Sequence, residues 1–236
     1  MNVNSKRTDW DLEDRSGIVM SKSKQDRLVA KLSRLWNDQQ DQALITKAIQ
    51  AIDSRYDLNK KMTRELGVEE IIVQMFGRLA DSFETLPSIQ GKQILDIACG
   101  SNSSKAPALL YINTPFGERT IGRASKEYTA QFEPWFCRIL FELEANPIGI
   151  DFGDLDRELF AHHRVDLGQI GALDFLPDHS FDAVQDSRLF GSPEFTAQFP
   201  NQADRLKIAQ EIKRQEQRVL KSDGIVIHSD ADALLR

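Results

Sequence analysis

With 236 residues, 41% apolar and 28% charged, the chain has room for one large α/β domain or a medium domain with a helical appendage. A net charge of −6 supplies no global field for nucleic acid, so general nucleic-acid binding is not expected. Two cysteines make neither a disulfide framework nor a paired-cysteine zinc site. No apolar leader opens the chain and no apolar run is long enough to span a membrane, so the reading is cytoplasmic.

In chain order, residues 1–20 are polar and without period, which predicts a flexible tail. From 21 to 88 apolar residues recur at helical spacing. Leu28, Leu32, Leu35 and Trp36 mark a first helix, and Leu44, Ile45, Ala48, Ile49 and Ile52 a second. Ile72, Met75, Phe76, Leu79 and Phe83 mark a third, and Pro87 closes the region. These stripes carry no obvious chemistry and need cover, from the rest of the chain or from a second copy in a homodimer. A roof over a substrate site is the functional alternative.

The second region, 89–236, opens on KQILDIACGSNSS at 92–104. An apolar run carries Asp96 and stops in Ala98, Cys99 and Gly100, and such an ending lets a ligand approach the backbone. The stretch of about 101–129 reads as an insertion, turn-rich at Thr114-Pro115-Phe116-Gly117 and without long period. It is a candidate lid, with a plain surface insertion as the alternative. Residues 130–145 then read as a helix with Phe132, Trp135, Phe136, Ile139, Leu140 and Leu143 apolar. NPIGID reads as a second strand ending in Asp151, and HRVDL, from His163 to Leu167, as a third carrying Asp166. LPDHSFDAV leads into a fourth, followed by Gln185, Asp186 and Ser187. Residues 202–220 read as a helix, and LKSDGIVIHSD as a turn into a fifth strand.

Three of these stretches together resemble the class I S-adenosylmethionine-dependent methyltransferases. Asp96 followed by Ala98, Gly100 and Asn102 is similar to the family's acid and three spaced glycines, and Asn tolerates positive φ. LPDHSFDAV is similar to the family's LPFxDxSFDxV, and LKSDGIVI to its LKPGGxLxx. The element order runs in register with the family from residue 92 to about 230. The helix and antiparallel hairpin that the family adds after its fifth strand have no counterpart before Arg236.

The resemblance implies an α/β fold, a Rossmann-like, doubly wound and mostly parallel sheet with an N-terminal helical region. It implies S-adenosyl-L-methionine as cofactor and a small molecule, or a protein, as methyl acceptor. The backbone of Ala98, Cys99, Gly100, Ser101 and Asn102 would pass the methionine part, with Asp96 organising the turn. Asp151 would hold the ribose hydroxyls and Asp166 would border the adenine, with Phe152 and Leu167 beside them on the cofactor side. Asp186, at the end of the fourth strand, is the candidate that orients or deprotonates the acceptor, and a helix N-cap is its alternative reading. No metal is implied, because His162-His163 lacks the spacing of a helical metal pair. Two rival functions stand beside this one: a cofactor-binding regulatory module without transfer, and a nicotinamide-dependent oxidoreductase.

Overall fold

The structure is a computed structural model that describes residues 20–36, 38–58, 68–101, 109–114, 117–123, 132–187, 189–190 and 192–236. The expectations for the tail at 1–19 and for Asn102 lie outside the described residues.

Three helices come first: α1 (Met20–Leu32), α2 (Gln39–Tyr56) and α3 (Glu69–Ser82). The α2 start is written locally, since the Asp38 side chain accepts from the Gln40 amide at 2.7 Å. Strand β1 (Gln93–Ile97) follows, then a hairpin of β2 (Leu109–Thr114) and β3 (Gly117–Arg123). Helix α4 (Trp135–Glu142), β4 (Asn146–Asp151), β5 (Ala161–Arg164) and β6 (Phe181–Asp186) come next. Helices α5 (Pro193–Gln198) and α6 (Gln202–Val219), strand β7 (Leu220–His228) and helix α7 (Asp230–Leu235) complete the order.

The main sheet has five strands in the order β5-β4-β1-β6-β7, and each neighbouring pair is parallel. The chain starts at the centre with β1, winds outward to β5, and then crosses back to β6 on the other side. Connections that leave β1 and β6 in opposite directions open a crevice at their carboxyl ends, where ligands bind in such sheets. The register aligns these ends, with Ile97 opposite both Ile150 and Asp186.

Alternation along the strands sorts side chains between two cores. Ile94 and Ala183 pack with α1, α2, α3 and α4 in one. Leu95, Ile97, Ile150 and Val184 pack with α5, α6 and α7 in the other. The N-terminal stripes therefore find cover within this chain: Leu32, Ile45, Ile49, Ile72, Phe76 and Leu79 are fully buried in the first core. A buried cation fastens α2 to α4. Arg138 lies 3.9 Å from the Tyr56 ring and 4.5 Å from the Trp135 ring, and pairs with Glu158 at 2.7 Å and Glu133 at 2.5 Å.

The structure corrects the sequence reading at three places. The insertion carries a two-stranded antiparallel hairpin, β2 with β3, where no secondary structure was expected. The third strand is Ala161–Arg164 rather than 163–167, because Asp166 turns the chain by accepting from the Gly168 amide at 3.0 Å and Gln169 Nε2 at 3.1 Å. The turn expected at Ser222-Asp223-Gly224 lies inside β7 as an irregularity, since Phe181 faces Leu220 while Ala183 faces Ile225.

Candidate functional site at the carboxyl ends of β1, β4 and β6

The turn after β1 is held in a left-handed conformation. Ala98 has φ 58° and Gly100 φ 95°. For Ala98 that conformation costs about 1 kcal/mol, and strain of this kind collects where a site requires it. The Cys99 amide donates to Ile150 O at 3.0 Å, and the Ser101 amide to Phe132 O at 2.8 Å. Ser101 and Phe132, the described residues on either side of 102–131, thus clasp each other. A Cβ on Gly100 would stand 2.3 Å from that same Phe132 oxygen, so both the φ and the close approach require glycine there.

Asp151 closes the corner from the β4 side. Its Oδ2 accepts from the Gly100 amide at 3.0 Å and its Oδ1 from the Gly153 amide at 2.7 Å. Phe152 beside it is 65% exposed, its ring 5.8 Å from the Arg164 guanidinium. Ser101 fits against Gly153 so closely that a Cβ on Gly153 would meet the Ser101 Cβ and Oγ at 2.3 Å.

Asp96 is buried one layer deeper. Gln185 Nε2 donates to its Oδ1 at 3.3 Å and the Cys137 thiol to its Oδ2 at 3.5 Å. Burial pushes its carboxyl up to about 7, against the pull of those two bonds. Cys99 and Cys137 are both buried and their thiols are hydrogen-bonded; burial drives the Cys99 thiol up to about 11 and Cys137 well above its ordinary value.

The other expected residues go elsewhere. Asp166 serves its own turn, and Leu167, 5% exposed, packs in the second core near Ile150. Asp186 is fully buried, and its two oxygens accept from the Asp230 and Ala231 amides, the latter at 3.0 Å. These are the first two amides of α7, and Ser229 Oγ takes the third, from Asp232, at 3.2 Å. In this structure Asp186 therefore caps a helix and does not face an acceptor. Its carboxyl is pushed up to about 6 by burial, and nearby Glu216 to about 7 by burial and then by Asp186.

Two residues near the site went unread in the sequence, Arg78 on α3 and Gln185 on β6. Gln185 was legible in part, since it alternates with Val184 and so shares a face with Ala183 and Asp96. Arg78 sits beside the apolar stripe of α3, three residues after Met75, and nothing local separates it from an ordinary surface cation.

No family model and no curated protein matches the chain. Among solved structures it is similar to the selenomethionine-substituted CurJ carbon methyltransferase, at 11% identity and a TM-score of 0.35. That match covers 88% of this chain and 48% of the other, so the chain spans about half the length of the structure it matches. The fold assignment rests on the sheet itself. Counted along the main sheet in chain order, its strands stand 3-2-1-4-5 and all run parallel, the order of a doubly wound, Rossmann-like sheet. Among the described residues no helix is long and apolar enough to cross a membrane.

Proposed function

We infer that the chain binds S-adenosyl-L-methionine at the carboxyl ends of β1 and β4 and transfers its methyl group to a small-molecule acceptor. The observation that carries this reading is the corner itself, where Asp151 lies under the Gly100 amide beside a turn that Ala98 holds in a left-handed conformation. The residues fit such a cofactor. Asp151 ends β4 with a half-buried carboxylate at the mouth of the turn, the exposed Phe152 ring offers a face to a purine, and two buried polar atoms near Asp96 stand without partners.

The bound cofactor would supply a methyl carbon already activated by a positive sulfur. With the carbon so activated, the protein's task would be alignment of the acceptor and exclusion of water. Ala98, Gly100 and Ser101 hold the turn, and Asp151 positions the ribose end. A second reading, a cofactor-binding module without transfer, is favoured by one fact: Asp186, the acid expected beside an acceptor, is closed under α7.

Calorimetric titration with S-adenosylmethionine and with NAD, followed by a methyl-release assay on cell extract, separates these readings. A carboxylate bond to a hydroxyl contributes ~1.5–3 kcal/mol, so Asp151→Ala should weaken S-adenosylmethionine binding roughly ten- to a thousand-fold. Asp154→Ala is the control, because Asp154 is spent on a local bond to the Asp156 amide at 2.9 Å. Unchanged affinity in Asp151→Ala would overturn the site, and tight NAD binding would move the chain to the oxidoreductases.

A further inference from the structure

The sheet face that carries α3 and α4 holds two buried polar atoms that the folded chain leaves without partners. Gln185 is fully buried, and its Nε2 is committed to Asp96 Oδ1 at 3.3 Å. With Nε2 turned to Asp96, the Oε1 of the same amide has no partner. Arg78 reaches the same neighbourhood from α3. Its Nη1 is likewise buried and unpartnered, and the carboxylates whose fields reach it are those of Asp96, Asp230 and Asp186. Burial pulls the Arg78 guanidinium below its usual range, as it does for a cation without a hydrogen-bonded counterion.

A buried donor or acceptor left unmade is costly, and one of each lies around Asp96, so a group that satisfies both binds favourably there. The two orphans ask for opposite things. The guanidinium N–H needs an acceptor, best an anionic one, and the amide oxygen needs a donor. A free α-amino acid group carries both on one carbon, an anionic carboxylate and an ammonium.

We propose that Arg78 and Gln185 bind the α-amino-acid end of the cofactor, Arg78 Nη1 donating to its carboxylate and Gln185 Oε1 accepting from its ammonium beside Asp96. This rests on the cofactor reading above and deepens it. It gives the N-terminal helices a part in the site, because α3 supplies the carboxylate ligand. Position supports it: Asp96 is next to last in β1 and Gln185 next to last in β6, directly opposite each other, on the face toward which Asp151 also points.

The test compares two probes that share an adenosine thioether and differ in the amino-acid group: S-adenosylhomocysteine, which has it, and 5′-methylthioadenosine, which lacks it. Binding is measured by calorimetry on the full chain. The parent should prefer S-adenosylhomocysteine. Arg78→Met should weaken S-adenosylhomocysteine about ten- to a hundred-fold, as for a lost charge-assisted bond, and leave methylthioadenosine within about twofold. Gln185→Met should cut the same preference by a smaller factor. Arg78→Lys, which keeps the charge and loses the fork, should fall between the parent and Arg78→Met; it also serves if Arg78→Met does not fold.

Equal losses for both probes would overturn the proposal and make Arg78 a counterion that only steadies Asp96, Asp186 and Asp230. Unchanged S-adenosylhomocysteine binding in Arg78→Met or Arg78→Lys would overturn it too. A parent that binds methylthioadenosine as tightly as S-adenosylhomocysteine would keep the adenosine site and sink this inference alone. A parent that binds neither probe would remove the cofactor reading and this proposal with it.

Discussion

Two corners of the same sheet end in an aspartate and meet opposite fates. Asp151 closes β4 and Asp186 closes β6, each the last of six strand residues, and each carboxylate accepts two backbone amides. At the β4 corner those amides belong to loops, Gly100 and Gly153, and the acid stays half-buried beside an exposed phenylalanine. At the β6 corner they belong to the first turn of α7, and the acid is sealed. The alternation of the strands also points the two side chains to opposite faces, Asp151 with Gly149 toward α4 and Asp186 with Val184 toward α6. An acid at a strand end is thus left half-open or sealed under a helix according to what the chain does next, and the strand does not encode which.

The contrast is broken most directly at the sealed corner. Asp186→Ala strands two buried helix amides at ~1–3 kcal/mol each, so a stability loss of about 3 kcal/mol is expected. Calorimetric melting should show a midpoint lower by roughly 6–12 °C. Asp186→Asn, which keeps one acceptor, should lose less, and a melting point equal to the parent's would return Asp186 to the list of reactive groups.

The open corner is tested by crowding it. Gly153→Ala places a methyl group onto Ser101, and overpacking of that kind costs ~1–3 kcal/mol. Melting point and S-adenosylmethionine affinity should fall together, because the turn that Ser101 belongs to must move. The double change Gly153→Ala with Ser101→Gly should restore most of both, and no recovery would mean the two residues are not in contact.

A pH slope is also expected from the buried carboxylates on both faces of the sheet. Burial holds Asp186 at about 6 and Glu216 at about 7, and Asp96 also at about 7, all above their unfolded values. The folded state then binds protons more tightly than the unfolded chain between about pH 4 and 7. The stability these groups contribute is present in full below their unfolded values and is lost as pH rises through 6 and 7. Glu211 works the other way, held at about 2 by Arg214, so its contribution is lost only as pH falls below the ordinary carboxylate range. Chemical denaturation should therefore give greater stability at pH 5.5 than at 7.5. Glu216→Gln should flatten that slope by up to about 1.4 kcal/mol per pH unit, and a slope unchanged in the variant would mean that Glu216 does not titrate there.

The parts legible in the sequence are those written by neighbours in the chain. Helix α6 lies at Gln202–Val219, close to its expected span, because Asn201 caps it by accepting from the Ala203 amide at 2.9 Å. The central strand and its small-residue exit were also readable, and they bring together Asp96, Ala98, Cys99, Gly100, Ser101, Asp151 and Phe152. What stayed hidden depends on distant partners. The hairpin of β2 and β3 is defined by pairing between two segments, and neither LLYINT nor GERTIGR alternates cleanly enough to announce a strand alone. The cap role of Asp186 needs α7, 44 residues away, and the place of Arg78 needs the sheet that α3 covers.

The clasp between Ser101 and Phe132 has a consequence for how the chain tolerates length. Ends already held one hydrogen bond apart, at 2.8 Å, make the intervening stretch a closed loop whose entropic cost grows only logarithmically. Doubling such a loop costs only ~0.6 kcal/mol, less than one ordinary hydrogen bond contributes. Residues can accumulate or disappear between these two positions while the sheet stays where it is. That corner can therefore take added surface at low thermodynamic cost.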